Sequence, residues 1–138
     1  MRTLKLTIIT PKQIALEKVI QGVTLPSTEG EITILPGHIN LFALLEEGVV
    51  RYWKDDKEEF LAIGGGYVET DGECVELLVS RAYGQDKIDE EATKKAIEQA
   101  KTMKKSAKTV DAQKEVSSLL RRSIVDLKLL KKKRRHSA

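Results

Sequence analysis

The chain has 138 residues, a formal net charge of +3 and 41% hydrophobic residues, which is the size of one domain or of one domain with an appendage. Its single cysteine, Cys74, excludes an intrachain disulfide and favours a reducing compartment. The sequence has no run of about 20 apolar residues that could span a membrane. Its first residues also lack the apolar core of a signal peptide, so we expect neither export nor organelle import.

Composition and charge both divide near residue 84. All nine glycines, all three prolines and all six aromatic residues lie at or before this point. Residues 1–84 carry 8 basic and 13 acidic side chains, a net charge of −5, whereas residues 85–138 carry 16 and 8, a net charge of +8. We therefore predict two domains, 1–84 built from strands and turns and 85–138 built from helices. The basic half indicates an acidic partner, such as nucleic acid, an anionic membrane or an acidic protein surface.

Residues 1–84 contain short alternating segments separated by turn residues, a pattern that predicts an all-β sandwich of about ten strands. The clearest strands are expected at residues 4–8, 19–25, 49–53 and 60–63. Pro11 and Pro26 are expected to end the first two of these strands. Asp71-Gly72 predicts a two-residue hairpin connection.

Residues 28–38 are the most informative stretch of this region, because two turn signals there enclose a very short alternating strand. Pro36-Gly37 predicts a type II turn, with proline fixing φ at the first central position and glycine accepting a positive φ at the second. We expect this stretch to form a compact loop that displays Glu31 and His38.

Residues 85–138 predict an antiparallel hairpin of two amphipathic helices, which makes the whole chain an α+β protein. Asp86 is the expected N-cap of the first helix, which runs to about Lys104. Asp111 is the expected cap of the second helix. The apolar stripe of the second helix is formed by Val116, Leu119, Leu120, Ile124, Leu127 and Leu130. Two helices alone have a small core, so we expect them to pack on a sheet or on a partner.

Three tracts in register resemble the epsilon-subunit family of bacterial F-type ATP synthases over essentially the full length of the chain. They are Glu29-Gly30-Glu31 with Leu35-Pro36-Gly37-His38, the stretch FLAIGGGYVE at residues 60–69, and Arg81-Ala82 leading into Ile88-Asp89. The resemblance implies a non-catalytic stalk subunit. Its β sandwich would bind the γ subunit and the ring of c subunits, coupling ion flow to rotation. Its two helices would act as a mobile brake on ATP hydrolysis, extending into the α and β subunits of the catalytic head.

The resemblance assigns Glu31 and His38 to the c-ring interface and Thr10 to the γ interface. From the residues alone, His38 is equally an ordinary loop-end histidine, Glu31 a solvated turn charge and Thr10 a strand-end residue. These assignments therefore depend on the family.

The basic residues of the second helix are the candidates for contacts that oppose ATP hydrolysis, because family members meet an acidic stretch of the β subunits there. They are Arg121, Arg122, Lys131, Lys132, Lys133, Arg134 and Arg135. The residues alone also allow a solvated helix end. A second alternative is a nucleic-acid-binding module, but the basic segment lacks the aromatic residues on which bases would stack. We therefore expect no nucleic-acid partner.

No catalytic, metal or cofactor site is expected, because the chain has only two histidines and one cysteine and no motif that combines them. Gly64-Gly65-Gly66 lacks the residues that follow a phosphate-binding loop and instead predicts a bulge or a close backbone approach. Many bacterial members bind ATP through an Ile/Leu-Asp-x-x-Arg-Ala motif. Here Ile88 and Asp89 are followed by Ala92 and Thr93 at the arginine and alanine positions, so we expect weak or absent ATP binding.

The resemblance and the absent transit peptide together favour a peripheral protein at the cytoplasmic face of the bacterial cell membrane. An organelle-encoded subunit would also lack a transit peptide. We expect contact with the membrane only through the complex.

Overall fold

The computed structural model describes the backbone of residues 2–137 and the side chains of residues 2–132. Within this part, the chain divides into two compact units with the boundary after Gly84. The first unit contains ten strands, and the second contains a 3₁₀ turn and two helices. The expected fold, a β sandwich followed by a two-helix hairpin, is confirmed.

The ten strands are short because turn residues interrupt the alternating pattern at frequent intervals. They are β1 (Leu4–Ile9), β2 (Ile14–Ile20), β3 (Gly22–Ser27), β4 (Gly30–Ile34), β5 (Leu41–Leu45), β6 (Gly48–Lys54), β7 (Lys57–Ile63), β8 (Gly66–Thr70), β9 (Cys74–Val79) and β10 (Ala82–Tyr83). The strand order is β10-β7-β6-β3-β5-β8-β9-β1-β2, and β4 pairs with β3.

The sheet forms two layers that enclose one core. The link between β3 and β5 is the single pair Ser27↔Leu45, so the sheet turns from one layer to the other at this point. All pairs are antiparallel except β1 with β9, which are parallel. Side chains from β1 to β9 meet in the core, and the largest fully buried ones are Leu4, Leu6, Ile8, Ile20, Leu25, Ile34, Ile63 and Leu77.

The prediction of a single strand at residues 19–25 is wrong, because the chain passes from one layer to the other within this stretch. β2 pairs with β1 in one layer, whereas β3 pairs with β4 and β6 in the other, and Gln21 lies between them. Apolar alternation continues through this change, so the pattern gave no sign of it. Pro26 does not end the strand but lies inside β3, where it is tolerated because the β3–β6 ladder already ends at Thr24.

Two turns test the predictions made from turn residues. The type II turn is confirmed, since Gly37 has φ of 85° and His38 N–H donates to the carbonyl of Leu35 at 3.1 Å. The hairpin between β8 and β9 is longer than expected, with three residues, 71–73, between the strands.

The second unit begins with a 3₁₀ turn at Gln85–Lys87, followed by α1 (Glu90–Ser106) and α2 (Val110–Ser137). Because only residues 107–109 connect the helices, they pack as an antiparallel hairpin. The Gln85 side chain donates through Nε2 to the carbonyl of Leu129 at 2.9 Å, and Leu129 is fully buried. This hydrogen bond ties the start of the unit to the second helix.

Both predicted helix caps are wrong by two or three residues. Asp89, not Asp86, is the N-cap of α1, and its carboxylate accepts from Ala92 N–H at 3.0 Å. Asp86 lies in the 3₁₀ turn, which delays the helix by one turn. Thr109, not Asp111, caps α2, since Thr109 Oγ1 accepts from Ala112 N–H at 3.1 Å.

The apolar stripe predicted for α2 is only partly buried. Val116 is buried, but Leu119 and Ile124 are 45% and 43% exposed. Ser123, Val125 and Leu129 are buried instead. A two-helix unit has room for few large side chains in its interior, so some of the stripe remains at the surface.

Candidate functional site

The outer face of the layer β5-β8-β9-β1-β2 carries the main candidate surface. Strand side chains alternate between two faces, and this layer directs one set into the core. On β1 the buried set is Leu4, Leu6 and Ile8, so Lys5, Thr7 and Ile9 face outward. On β9 the outward set is Cys74, Glu76 and Leu78.

An apolar row crosses all five strands of this face. The pairing register places Leu44 beside Tyr67, Tyr67 beside Leu78, Leu78 beside Ile9, and Ile9 beside Ile14. We call these five residues the apolar row. Its two ends are well exposed, with Leu44 at 56% and Ile14 at 58%. A contiguous apolar row on an outer sheet face is typical of a protein–protein interface.

Two local irregularities in the sheet shape the row. A register shift between Ile8 and Ile9 lets Ala15 and Leu16 pack against the core while Ile14 turns outward. Gly66 lies next to Tyr67, and a Cβ there would overlap the carbonyl oxygen of Leu78. Within the tract Gly64–Gly66, the expected close backbone approach is therefore found at Gly66, and the neighbour is β9 of the same chain.

Two glutamates, Glu69 and Glu76, form an acidic pair on the same face as the apolar row, each two residues along its strand from the row. Glu69 pairs directly with Glu76 across β8 and β9, and Phe42 pairs with Glu69 on the other side. Both carboxylates are exposed, and neither has a hydrogen bond or ion pair within the described part of the chain. The nearby Lys5 ammonium is engaged with Glu17 at 3.1 Å. Like charges directly opposite on neighbouring strands destabilise a sheet.

A surface cavity of about 450 Å³ opens at the acidic pair. Its lining comprises Asn40, Leu41, Phe42, Glu69, Thr70, Asp71, Cys74 and Glu76. Phe42 is 61% exposed, and its ring lies 5.1 Å from the ring of Tyr67 at a 32° tilt. The cavity is therefore continuous with the apolar row.

Asp71 is already engaged within its own turn. Its Oδ1 accepts from the backbone N–H groups of Cys74 at 2.8 Å and Glu73 at 2.9 Å. These bonds to the charged form hold the pKa of Asp71 below its usual value. Glu69 and Glu76 are thus the available carboxylates of the cavity.

The structure separates Glu31 and His38, which we expected in one compact loop. Glu31 is exposed near the start of β4, whereas His38 follows the type II turn beyond its end. Glu31 and Leu35 are four residue steps apart along extended chain, which corresponds to about 13 Å. Glu31 lies at the end of the sandwich where β1 also finishes, so Thr10 shares that end and His38 does not.

His38 belongs to a tight group of backbone turns at the other end. Gly37 N–H donates to the carbonyl of Gly72 at 2.9 Å, which joins the type II turn to the β8–β9 connection. The His38 ring is half-buried, and its Nδ1 lies 2.7 Å from the carbonyl oxygen of Ile39. Ile39 itself is 80% exposed, so the turn presents an apolar side chain next to the histidine.

Thr10 closes the connection between β1 and β2. Its backbone N–H donates to the carbonyl of Gln13 at 2.9 Å, and its hydroxyl oxygen lies 3.3 Å from Gln13 N. Because Thr10 follows Ile9, it borders the apolar row. The register that forms the row could not be read from the sequence, and so the row was not predicted.

A polar cluster joins the two layers at their edge. The hydroxyl of Tyr52 donates to Glu59 Oε2 at 2.5 Å, and the ammonium of Lys18 lies 2.9 Å from the same oxygen. Burial raises the pKa of Tyr52, and the hydrogen bond to Glu59 raises it further. The same bond, together with Lys18, lowers the pKa of Glu59. Since β2 and β6 belong to different layers, the cluster is a structural link.

The basic residues of α2 do not all share one face. Residues seven and eleven apart on a helix lie on the same side, so Arg121 and Lys132 form a stripe with Lys114 and Lys128. Arg122 is rotated by about 100° from this stripe. Lys114 and Lys128 were not predicted, although each lies seven residues from Arg121 in the sequence. The side chains of Lys133, Arg134 and Arg135 lie outside the described residues.

The residues of the degenerate ATP motif build the N-terminus of α1. Asp89 caps the helix, and Thr93 is 8% exposed with its hydroxyl donating to the carbonyl of Asp89 at 2.7 Å. Ala92 contributes only a methyl group, and Glu90 pairs with Lys94 at 3.3 Å. The side chains of Asp89, Glu90 and Thr93 are therefore engaged in structure.

Neither a metal centre nor a membrane helix is found within the described residues. No group of three or more His, Cys, Asp or Glu side chains in that part of the chain is placed to hold a metal ion. No helix there is long and apolar enough to cross a membrane.

Residues 3–85 match a protein-family model described as "ATP synthase, Delta/Epsilon chain, beta-sandwich domain". The epsilon chain of Carboxydothermus hydrogenoformans is 36% identical over 98 residues, which is 71% of this chain and 73% of the relative. The epsilon chain of Endomicrobium trichonymphae is 32% identical over 128 residues, 93% of each chain. A chain in the structure of the Euglena gracilis mitochondrial ATP synthase (OSCP, F1 and c-ring) has the same fold, with a TM-score of 0.81, 21% identity and coverage of 89% of this chain and 78% of that one.

The fold and the matched domain define a class, the ATP synthase subunits that carry a delta/epsilon β sandwich. Within this class, the chain belongs to the ATP synthase epsilon chain family. It is therefore a non-catalytic subunit of an ATP synthase complex.

Proposed function

We propose that this epsilon chain works in the central stalk of the rotor, where its sandwich binds γ and the c-ring and couples ion flow to ATP synthesis. The observation that carries the proposal is the apolar row on the outer face of β5-β8-β9-β1-β2. An apolar row across five strands, half-buried in the middle and exposed at both ends, suits a contact with another protein, and the family supplies γ as the partner. Thr10 borders the row and belongs to the same contact.

Aspartate at the end of the row tests the γ contact. Leu44→Asp places a charge on the row, and we expect binding to purified γ to weaken about 10-fold or more, because a charge would be desolvated against an apolar surface. Leu35→Asp is the matched control, since Leu35 is 50% exposed but lies outside the row. Titration calorimetry gives both affinities. Equal weakening by the two variants would refute the row as the contact.

The c-ring contact is assigned to Glu31 and His38, and because these residues lie at opposite ends of β4, each side chain is tested separately. Glu31 is fully available to a partner, whereas the His38 ring is half-buried and directed at the backbone of Ile39. In a Cys74→Ser background, we expect a cysteine at position 31 to cross-link to a c subunit in the assembled complex. A cysteine at position 38 should cross-link less. The reverse order would transfer the contact to His38.

The helical unit is proposed to oppose ATP hydrolysis through contacts with the α and β subunits. The stripe containing Arg121 and Lys132 supplies the charge, with Lys131 beside it and Lys133, Arg134 and Arg135 further along α2. Surface pairs are individually weak, at about 0 to 1 kcal/mol, so several must act together. Arg122 is assigned to the same role on another face of the helix.

Removal of the helical unit tests the brake. We expect a catalytic head with γ and the chain truncated after Gly84 to hydrolyse ATP faster than one with the full chain. Both forms should copurify with γ. A triple change of Arg121, Lys128 and Lys132 to Gln should raise hydrolysis more than Arg122→Gln alone. Equal rates with the full and truncated chains would refute the inhibitory role.

The isolated chain is proposed to bind ATP weakly or not at all, because Ala92 replaces the arginine of the family motif. A low-micromolar dissociation constant by calorimetry would contradict this. As a stalk subunit, the protein would be peripheral, at the cytoplasmic face of the bacterial cell membrane, and would contact the membrane only through the complex.

A further inference from the structure

We propose that the cavity at the acidic pair receives an arginine side chain of the subunit that covers the apolar row. This inference rests on the proposed function, in which that subunit is γ, and adds the chemical feature by which γ would be recognised. The acidic pair is Glu69 with Glu76, as defined above.

The charge of the cavity calls for a cation. Glu69 and Glu76 are direct neighbours across β8 and β9, and both lack a partner within the described residues. On the neighbouring strand β1, the ammonium of Lys5 is paired with Glu17. Because like charges so placed oppose folding, the pair disfavours the isolated chain and becomes favourable only when a positive group joins it.

The shape and lining of the cavity favour arginine over lysine or a metal ion. A guanidinium is planar, has five donors and can bridge two carboxylates, whereas an ammonium acts as a point charge. Phe42 provides an exposed aromatic face at the same cavity, on which a guanidinium can stack. Asn40 adds an amide acceptor. Within the described residues no three-ligand metal group exists, so a metal ion is disfavoured.

The position of the cavity indicates that the cation belongs to a protein partner. Phe42 contacts Tyr67 of the apolar row, so a surface that covers the row extends over the cavity. An arginine in a partly enclosed pocket beside an apolar contact is a typical anchor of a protein interface. The cavity and the row are thus two parts of one docking surface.

The test removes the two charges without changing shape. We expect the double variant Glu69→Gln, Glu76→Gln to bind purified γ about 10-fold or more weakly than wild type. The salt dependence of its affinity should also be shallower, because fewer charges interact. Its thermal midpoint should equal or exceed that of wild type, since the repulsion is gone. Glu73→Gln is the matched control, an exposed glutamate nearby that does not line the cavity.

Reversed charge then identifies the partner residue. The double variant Glu69→Lys, Glu76→Lys should bind γ still more weakly, and a γ variant with one arginine changed to glutamate should restore binding to it. Such rescue requires direct contact, which a general change of stability would not imitate. Binding of the Gln double variant within about two-fold of wild type would overturn the arginine site and leave γ binding intact. Failure of the wild-type chain to bind γ would overturn both proposals.

Discussion

The two units of this chain differ in what holds them together. The sandwich buries large apolar side chains completely, including Leu6, Ile8 and Leu77 at 0% exposure. In the helical unit, Leu129 is the single large side chain below 2% exposure among the described residues. The other buried side chains there are smaller than leucine: Thr93, Ala100, Val116, Ser123 and Val125. Most helical stability in proteins comes from packing of an amphipathic face. The comparison shows a sandwich with a large buried apolar core and a helical unit with a much smaller one, a difference that would suit the mobile role proposed for the helices.

The largest expected effect lies in the sandwich core. Leu77→Ala should lower the free energy of unfolding of the sandwich by about 3–5 kcal/mol, because a cavity opens between tightly packed layers. Leu78→Ala, on the next residue of β9, should cost under about 1 kcal/mol since that side chain faces outward. Urea denaturation of both variants measures the difference. Similar losses would show that the outer face of β9 is as tightly packed as the core.

Leu129→Ala is the corresponding change in the helical unit. We expect a loss of about 2–3 kcal/mol that is confined to residues 85–132, because this leucine is the main large side chain buried there. Hydrogen exchange should show faster exchange in α1 and α2 and unchanged protection in the sandwich. Leu119→Ala, at a position 45% exposed, is the control and should change little. Loss of protection in both units would contradict their independence.

Tyr52→Phe probes a link that only the sandwich has. Loss of the hydrogen bond to Glu59 should cost about 1 kcal/mol near neutral pH, at the lower end for bonds to charged groups because Glu59 is partly exposed. The pKa of Tyr52 is raised, so its contribution is present below its ordinary pKa of 10.0 and is lost as pH rises above that value. The difference between variant and wild type should therefore shrink in alkaline solution.

Denaturation across this pH range, with Tyr67→Phe on the outer face of the sandwich as control, measures the effect. Acid solution adds a second check. The lowered pKa of Glu59 gives stability above its ordinary value of 4.5 that is lost as pH falls through the folded-state pKa. This acid loss should be smaller in Tyr52→Phe. A constant difference at all pH values would refute the assigned hydrogen bond.

The smallest effect concerns the helix cap and decides between two aspartates. Asp89→Ala should destabilise the helical unit by about 0.5–1 kcal/mol, because Ala92 N–H loses its acceptor. Asp86→Ala should have a smaller effect, since Asp86 lies in the 3₁₀ turn. Helix content by circular dichroism during a thermal scan distinguishes them. Equal effects would restore the cap that the sequence suggested.

Local chemistry explains which features could be predicted from the sequence. The type II turn, the strands with clear alternation and the helical character of residues 85–138 depend on neighbouring residues, so a pattern indicates them. The change of layer at Gln21 could not be predicted, because the apolar alternation continues through it. The N-cap of α1 was misplaced because Asp86 and Asp89 both have side chains that can cap a helix, and the sequence pattern does not distinguish them. The apolar row was out of reach, since it depends on the register of five strands. Its members Ile9 and Leu78 meet only through the parallel pairing of distant segments.

The parallel pairing of β1 with β9 also affects how the sandwich folds during synthesis. Lys5 pairs with Cys74, and Ile9 with Leu78, so the first strand finds its inner neighbour only after nearly the whole sandwich has left the ribosome. Until then β1 can pair only with β2, and the edge of β1 that later pairs with β9 has no hydrogen-bonding partner. Contacts between such distant residues form slowly, because a long loop must close first. A nascent chain stalled before β9 should therefore be sensitive to protease and should bind chaperones until residues 74–79 emerge.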